Sequence, residues 1–495
     1  MLVSGPFGPK DRFGIWVLPL DGAEPRKLID GASAAVLSPD GSRIAYIGGG
    51  GAIWLVNASG EGARRIVAAP SGYSLGGRLI WSPDGRRVAY GKRKPDEFTI
   101  ESYDLDSGRT NVILSDPKGA SFCWARGGQI IYARQEDPPN ETSANLWDIR
   151  VDLRTARARG KPRRLTNWGG YLFDILSTGA GGARLAFVRK RFRSTVYVGE
   201  LEAGGARLGT PRRLSFDEWI NWPTAWSHDS QSVLFTSDRG GRLDLFQQDV
   251  KAPAPRAIVT GEEEKRDARF SPDGRWILYL ASSDTQGQTQ AAEGRLMRVA
   301  LGGGPPQPVL RVAGYPPLSR VAAAGTYGGT TLLDHPRFRC PSAPRSLCVL
   351  SEKIQNQVIF TAFDPVEGRK GELARIGAPL PDFWDLSPDG QWIALGWGGR
   401  IRLLSLAGQP PRDISVDGWS NLQCVAWAAD GKAVFATAWA SKDAPLLRIS
   451  LDGAVKLLHK GLFHTLNPVP SPDGRYLAFG ENTMESNVWV VEDLQ

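Results

Sequence analysis

Histidine is scarce in this sequence: His228, His335, His459 and His464 are the whole complement. None stands at a metal-ligand spacing from another histidine, a cysteine or a glutamate, so no zinc motif of the strong kind is present. His459 and His464 flank Gly461, a spacing that a loop or strand explains as readily as a ligand pair. Long apolar runs are missing as well; none approaches the about 18 residues of a transmembrane helix, and Met1 to Arg12 lack the charged-then-apolar order of a secretory signal. No apolar stripe of helical period runs through the chain. A phosphate-cradling loop is lacking, because Gly48 to Gly51 lead into a strand and not a helix, and the kinase catalytic-loop and metal-binding signatures are absent. One catalytic pattern exists on paper, Gly72-Tyr73-Ser74-Leu75-Gly76. A nucleophile elbow needs strand, sharp turn and helix, whereas Gly77 to Trp81 lead straight into another turn and leave no room for the helix.

Glycine (58) and proline (35) are abundant, as expected of many short strands and turns. Much of that count is organised. Ser-Pro-Asp-Gly stands at Ser38–Gly41, Ser82–Gly85, Ser271–Gly274, Ser387–Gly390 and Ser471–Gly474. Proline presets φ at the second turn position, serine and aspartate bond local amides, and glycine supplies the left-handed closing residue, so each copy predicts a hairpin turn. Short apolar runs follow four of them, Ile44-Ala45-Tyr46, Val88-Ala89-Tyr90, Ile277-Leu278-Tyr279 and Leu477-Ala478-Phe479, suited to strands buried on both faces. Degenerate copies fill the gaps, as at Ser227-His228-Asp229-Ser230 before Val233-Leu234-Phe235 and Ala429-Asp430-Gly431 before Val434-Phe435. A further strand and then a more polar, edge-like one follow each copy, for instance Ile53 to Val56 and then Arg64 to Val67. Four strands per unit at a period of roughly 44 residues is the sequence form of a β-propeller blade.

The predicted fold is therefore all-β, a β-propeller of about ten four-stranded blades. Because single rings usually hold about four to eight blades, two consecutive rings are expected in preference to one large ring. The Gly-rich connection Ala203 to Pro211 serves as the boundary, giving residues 1–210 as a first propeller with a partial first blade and 211–495 as a second. Met1-Leu2-Val3-Ser4 reads as the remnant of a blade strand followed by later strands at Ile15 to Leu18 and Arg26 to Ile29, so an upstream segment is expected.

The net charge of +8 raises the question of an acidic partner. Its densest stretch, Arg157 to Arg164, coincides with a loop and an outer strand, where basic residues discourage edge pairing, so nucleic acid is disfavoured. Cys123 and Cys424 read as buried apolar cysteines. Cys340 and Cys348 stand where a hairpin turn is due and would face each other across it; a disulfide and two free thiols are both compatible with that spacing, and a bond would argue for an oxidising compartment. Most of the 17 tryptophans read as packing between blades. Trp168, Trp219, Trp222, Trp419 and Trp439 lie nearer loops, and lining a channel mouth is the alternative for them.

The repeated Ser-Pro-Asp-Gly-x-x-[Ile/Leu/Val]-Ala-[Tyr/Phe] pattern resembles the TolB-like, or PD40, class of WD40-like propeller repeats over essentially the whole chain. Asp217 to Trp226, Leu234 to Gly240, Cys340 to Glu352, Phe363-Asp364-Pro365 and Met484 to Trp489 resemble, more narrowly, the C-terminal propeller regions of bacterial, acidobacterial-type serine/threonine kinases and winged-helix regulators. That resemblance implies a non-enzymatic sensor or protein-interaction module in the periplasm or otherwise outside the cytoplasm, coupled to a kinase or winged-helix output domain. Since no signal peptide is visible, a cytoplasmic location stays open. It supplies no catalytic residue, cofactor or metal ligand. The expected partner is a protein, peptide or envelope ligand held by loops at one end of a ring. The alternatives are a propeller hydrolase or lactonase with a channel site, and the propeller of a peptidase lacking its catalytic domain.

Overall fold

Ser-Pro-Asp-Gly closes the same hairpin wherever it occurs in the computed structural model, which describes residues 1–495 except 7–12, 95–96, 126, 138–142, 180–183, 283–293, 314–335, 344–345, 378–382, 439–443, 462–463 and 493–495. At the first copy the Ser38 hydroxyl donates to Asp40 Oδ1 at 2.5 Å and accepts the Arg43 amide at 2.9 Å, while the Gly41 amide bonds Ser38 O. Ser82, Ser271, Ser387 and Ser471 repeat this with Asp84, Asp273, Asp389 and Asp473. The degenerate Ser227-His228-Asp229-Ser230 keeps the geometry, with Ser230 at φ 58° where the other copies have glycine. Hydrogen bonds to Ser38 and Ser42 hold the Asp40 carboxyl down at about 2.

The chain divides into two compact units, Met1–Arg191 with Glu485–Gln495, and Phe192–Met484. In the first, a three-stranded sheet (Leu2–Gly5, Gly14–Val17, Arg26–Asp30) is followed by four-stranded sheets beginning at Ser33–Leu37, Ser74–Trp81 and Gly119–Ala125. A last sheet joins Leu172–Thr178 to residues 184–191 and 485–492 of two longer strands, and the innermost strands pack in sequence order.

Five four-stranded antiparallel sheets of the second unit have the innermost strands Asn221–Trp226, Glu264–Phe270, Arg337–Arg339, Phe383–Leu386 and Leu422–Trp427. The sixth is assembled from distant parts of the chain. His464–Pro470 is its inner strand, residues 476–484 follow, and residues 192–202 with Arg212–Arg213 form the outer part. This sheet closes the ring: the Trp226 indole N–H donates to Val469 O at 2.8 Å and the Asp473 amide to the Ser230 hydroxyl at 3.2 Å. The second unit is a β-propeller.

Its core lies between neighbouring sheets. Phe383, Ala394, Ile401 and Leu403 pack with Trp427, Val434 and Leu447 of the next sheet, and the closing sheet presents Val196 and Val198 to Trp226 and Phe235 on one side and Leu477 and Phe479 to Phe435 and Leu446 on the other. Each such fully buried side chain contributes about 1.5–3 kcal/mol, which is why the strands between the innermost and outermost ones, such as Ser232–Ser237 and Ala433–Ala438, are buried on both faces.

Inner strands depart from regular pairing in a shared way. Register slips by one residue between Pro223 and Ala225, Arg266 and Arg269, Leu422 and Val425, and Leu466 and Val469. Asp267 (φ 51°) and Asn467 (φ 49°) occupy left-handed conformations at their bulges. A bulge re-aims the residues that follow it, and here it sets side chains toward the ring centre.

Candidate ligand-binding cavity

All six inner strands of the second unit line one cavity of about 340 Å³. Aromatic and proline side chains make much of its wall, with Trp222, Phe270, Phe383 and Pro468 among them. Six charged residues from three successive inner strands line it: Arg266, Asp267 and Arg269, Arg337 and Arg339, and Asp385; Arg266 is paired with Glu264 of its own strand. Arg337 and Arg339, two apart on a regular strand, share a face, whereas Asp267 and Arg269 are brought together at the bulge.

Arg339 is the hub. Its Nη1 reaches both Asp267 oxygens at 3.0 and 3.1 Å and its Nε reaches Asp385 Oδ1 at 2.9 Å. Further donors are the Phe338 amide on Asp267 Oδ2 at 3.2 Å, Arg269 on Asp267 Oδ1 at 3.3 Å, and the Trp427 amide on Asp385 Oδ2 at 2.8 Å. The bonds from Arg339 to Asp267 and Asp385 and from Asp385 to Trp427 thus span four consecutive sheets. Arg337 differs. Among the described residues its guanidinium makes no hydrogen bond or ion pair, and it lies over the Phe383 ring at 4.9 Å. With Arg266 paired to Glu264, three guanidiniums face the Asp267 and Asp385 carboxylates, leaving one positive charge in excess.

The protonation pattern follows from this. Burial would raise Asp267, but Arg339, Arg269 and Arg337 outweigh it and hold its carboxyl below the usual range. Asp385 has fewer cationic neighbours, so burial dominates and raises it. Burial, reinforced by Arg339, pushes Arg269 down to about 10, and burial likewise lowers Arg337. Both stay cationic at neutral pH. Cys424 also lines the cavity; burial raises its thiol, which lies 3.6 Å from Asn467 Oδ1.

Of the aromatics singled out from the sequence, Trp222 lines the cavity. Trp168 sits in a cluster with Phe173 and Phe187 in the first unit, at ring distances of 5.7 and 6.0 Å. Trp219 is 46% exposed, Trp419 packs against the core between two sheets, and Trp439 lies outside the described residues. Cys340 and Cys348 are joined by a disulfide, with Cα atoms 4.3 Å apart across the hairpin. His228 meets Phe270 edge-on at 5.7 Å at the cavity wall, His459 lies 3.5 Å from Glu481, and His335 falls outside the described residues. Ser74 opens the strand Ser74–Trp81, as the lack of room for a helix requires. The charged cluster itself is not singled out by the sequence reading. Its signal is positional: three inner strands of the first unit carry Ala34, Ala120 and Ile175 near their bulges and the fourth carries a lone Arg78, whereas two strands of the second unit carry charged doublets just ahead of a turn.

No family model matches the chain. A search of curated proteins finds an uncharacterized protein of Agrobacterium fabrum, 30% identical over 80 residues, covering 16% of this chain and 27% of that protein. It also finds the uncharacterized peptidase YuxL of Bacillus subtilis, 24% identical over 207 residues, covering 41% of this chain and 29% of the peptidase. The chain thus spans less than a third of the length of either relative. Among solved structures, a nidogen/laminin complex matches at a TM-score of 0.39 and 13% identity, covering 59% of this chain and 98% of that one. TolB from Acinetobacter baumannii matches at a TM-score of 0.22 and 13% identity, covering 69% of this chain and 62% of that one. No helix among the described residues is long and apolar enough to cross a membrane.

Proposed function

We propose that this protein is a non-enzymatic binding module whose second unit receives part of a protein or peptide ligand in its central cavity. The observation that carries this reading is the pairing of an aromatic and proline wall with a cationic cluster in which every carboxylate oxygen is already engaged by Arg339, Arg269 or a backbone amide. Such groups position and discriminate; a general base or nucleophile instead needs a free acceptor aimed at a proton. In the fuller form of the reading, the ring is the extracytoplasmic sensory part of a system whose output is a kinase or winged-helix regulator.

The test is affinity selection from a random peptide library with the whole chain, repeated on Gln423→Trp, which fills the cavity from its wall. Selected peptides should bind the natural protein and lose at least about ten-fold in affinity for the variant. Equal binding to both would overturn the reading.

A second reading, the substrate-selecting propeller of a peptidase, is favoured by the match to YuxL over 207 residues. Under that reading the purified chain binds the selected peptides without cleaving them, and a peptidase that acts on those peptides faster when the chain is added would support it; cleavage by the purified chain alone would contradict both readings.

A further inference from the structure

Arg337 and Arg339 leave the same short strand on the same side, yet they have different surroundings. Arg339 is 11% exposed and spends its Nη1 and Nε on two carboxylates and the Phe338 carbonyl. Removing it would strand Asp267 and Asp385 in a poorly solvated place, so it belongs to the scaffold. Arg337 bonds neither carboxylate, and their oxygens are occupied by other donors. Its guanidinium is instead held by the face of Phe383, an arrangement that orients a planar fork without using its N–H groups.

A half-buried cation beside two others is costly, and the nearby Asp267 carboxylate is already shared between Arg339 and Arg269, so a further anion is favoured. The wall surrounding it is mostly apolar, contributed by Trp222, Phe270, Phe383 and Pro468. A polyanion such as nucleic acid would bring many charges to a single unpaired guanidinium and has no match here. The group that fits is one planar, singly charged oxyanion on an apolar body, because a guanidinium meets a carboxylate through two parallel N–H···O bonds.

The geometry points to a carboxylate subsite: Arg337, backed by Arg269, receives a free carboxylate carried on an apolar ligand, while Arg339 and its two aspartates hold the floor rigid. The inference rests on the binding-module reading above and names what the cavity of that reading recognises. Two sources share the chemistry, the C-terminal carboxylate of a peptide and a small aromatic or aliphatic acid.

Isothermal titration of the whole chain with four probes separates these outcomes: N-acetylated Ala-Leu-Phe as the free acid, the same peptide as its C-terminal amide, 3-phenylpropionate, and inorganic phosphate. The acid should bind at least about ten-fold tighter than the amide, the size expected for a charge-assisted pair. Arg337→Met keeps most of the stem and should bring the acid down to the affinity of the amide. Because that side chain makes no hydrogen bond or ion pair among the described residues and methionine can keep the packing on Phe383, the variant should stay within a few degrees of the natural melting temperature; Arg337→Lys, restoring charge without the fork, should recover part of the preference. Binding of 3-phenylpropionate at the strength of the acid assigns the site to small acids, and preference for the peptide assigns it to a C-terminus. Acid and amide binding equally well, with both abolished by Gln423→Trp, would overturn the carboxylate subsite and leave the binding module standing. Phosphate binding tighter than any carboxylate would overturn it as well. If none of the carboxylate probes binds while library peptides lacking a free carboxylate do, the inference likewise fails and the broader reading survives.

Discussion

Asp238 gives the sharpest quantitative consequence of this fold. It follows the strand Ser232–Ser237, is 6% exposed, and accepts the Ile220 amide at 2.8 Å. Burial, with the neighbouring Asp217 charge adding to it, pushes its carboxyl from 3.8 up to about 6. The folded state thus holds this proton more tightly than the unfolded chain does. The resulting stability is complete below about 3.8 and is lost as the pH rises through about 6. With about 1.36 kcal/mol per pK unit, the loss amounts to about 3 kcal/mol. Asp238→Asn keeps an oxygen for the Ile220 amide and removes the titration. Urea unfolding of both proteins, followed by tryptophan fluorescence at pH 4 and pH 8, should show Asp238→Asn gaining about 2.5 kcal/mol relative to the natural protein between those two values, because at pH 4 the unfolded carboxyl is already partly ionised. Taking the difference cancels the carboxylates held low in the turns, Asp40 among them, which act with the opposite sign in both proteins. A difference constant to within about 1 kcal/mol across that range would refute the reasoning.

Further outcomes follow from other buried polar contacts. Lys265 and Asp244 form a pair at 2.7 Å with side chains 5% and 7% exposed, so Lys265→Met should cost about 3–5 kcal/mol in chemical unfolding by leaving the carboxylate alone, and Lys265→Met with Asp244→Leu should recover most of it. Ser271→Ala removes the acceptor of the Trp276 amide, 3.0 Å away, and should lower stability by about 1–3 kcal/mol; an unchanged unfolding midpoint would show that the turn serine is dispensable. Reducing the disulfide between Cys340 and Cys348, eight residues apart, should cost about 2.5 kcal/mol by chain entropy, read as a lowered melting temperature in dithiothreitol that Cys340→Ser with Cys348→Ser reproduces without reductant.

The hairpins are legible in the sequence because Ser-Pro-Asp-Gly carries its own hydrogen bonds; Ser38, Asp40 and Gly41 satisfy one another with no help from the rest of the chain. The same holds for the short apolar runs after them, whose burial on both faces follows from the absence of any polar position. The closing sheet is a different matter. Its inner strand comes from His464–Pro470 and its outer part from residues 192–202, and pairing between such distant segments leaves no local signal. The cavity is hidden for another reason. Lys265-Arg266-Asp267-Ala268-Arg269 and Arg337-Phe338-Arg339 carry no pattern that marks them as interior, since charge usually marks solvent. Only the bulge at Asp267 and the position of each doublet just ahead of a turn turn those charges toward the ring centre. The separate duties of Arg337 and Arg339, two residues apart, depend on neighbours drawn from three other sheets and are visible only once the ring is assembled.

The central claim is that ligand enters the cavity of the second unit, and photo-crosslinking tests it most directly. A library-selected peptide carrying a diazirine on one side chain would be irradiated with the whole chain and the attachment sites mapped by mass spectrometry. Attachment to Trp222, Phe270, Phe383 or Gln423 is the predicted result. Attachment confined to the outer strands Arg256–Val259, Gly368–Gly377 and Arg412–Ser415, or to residues of the first unit, would contradict it.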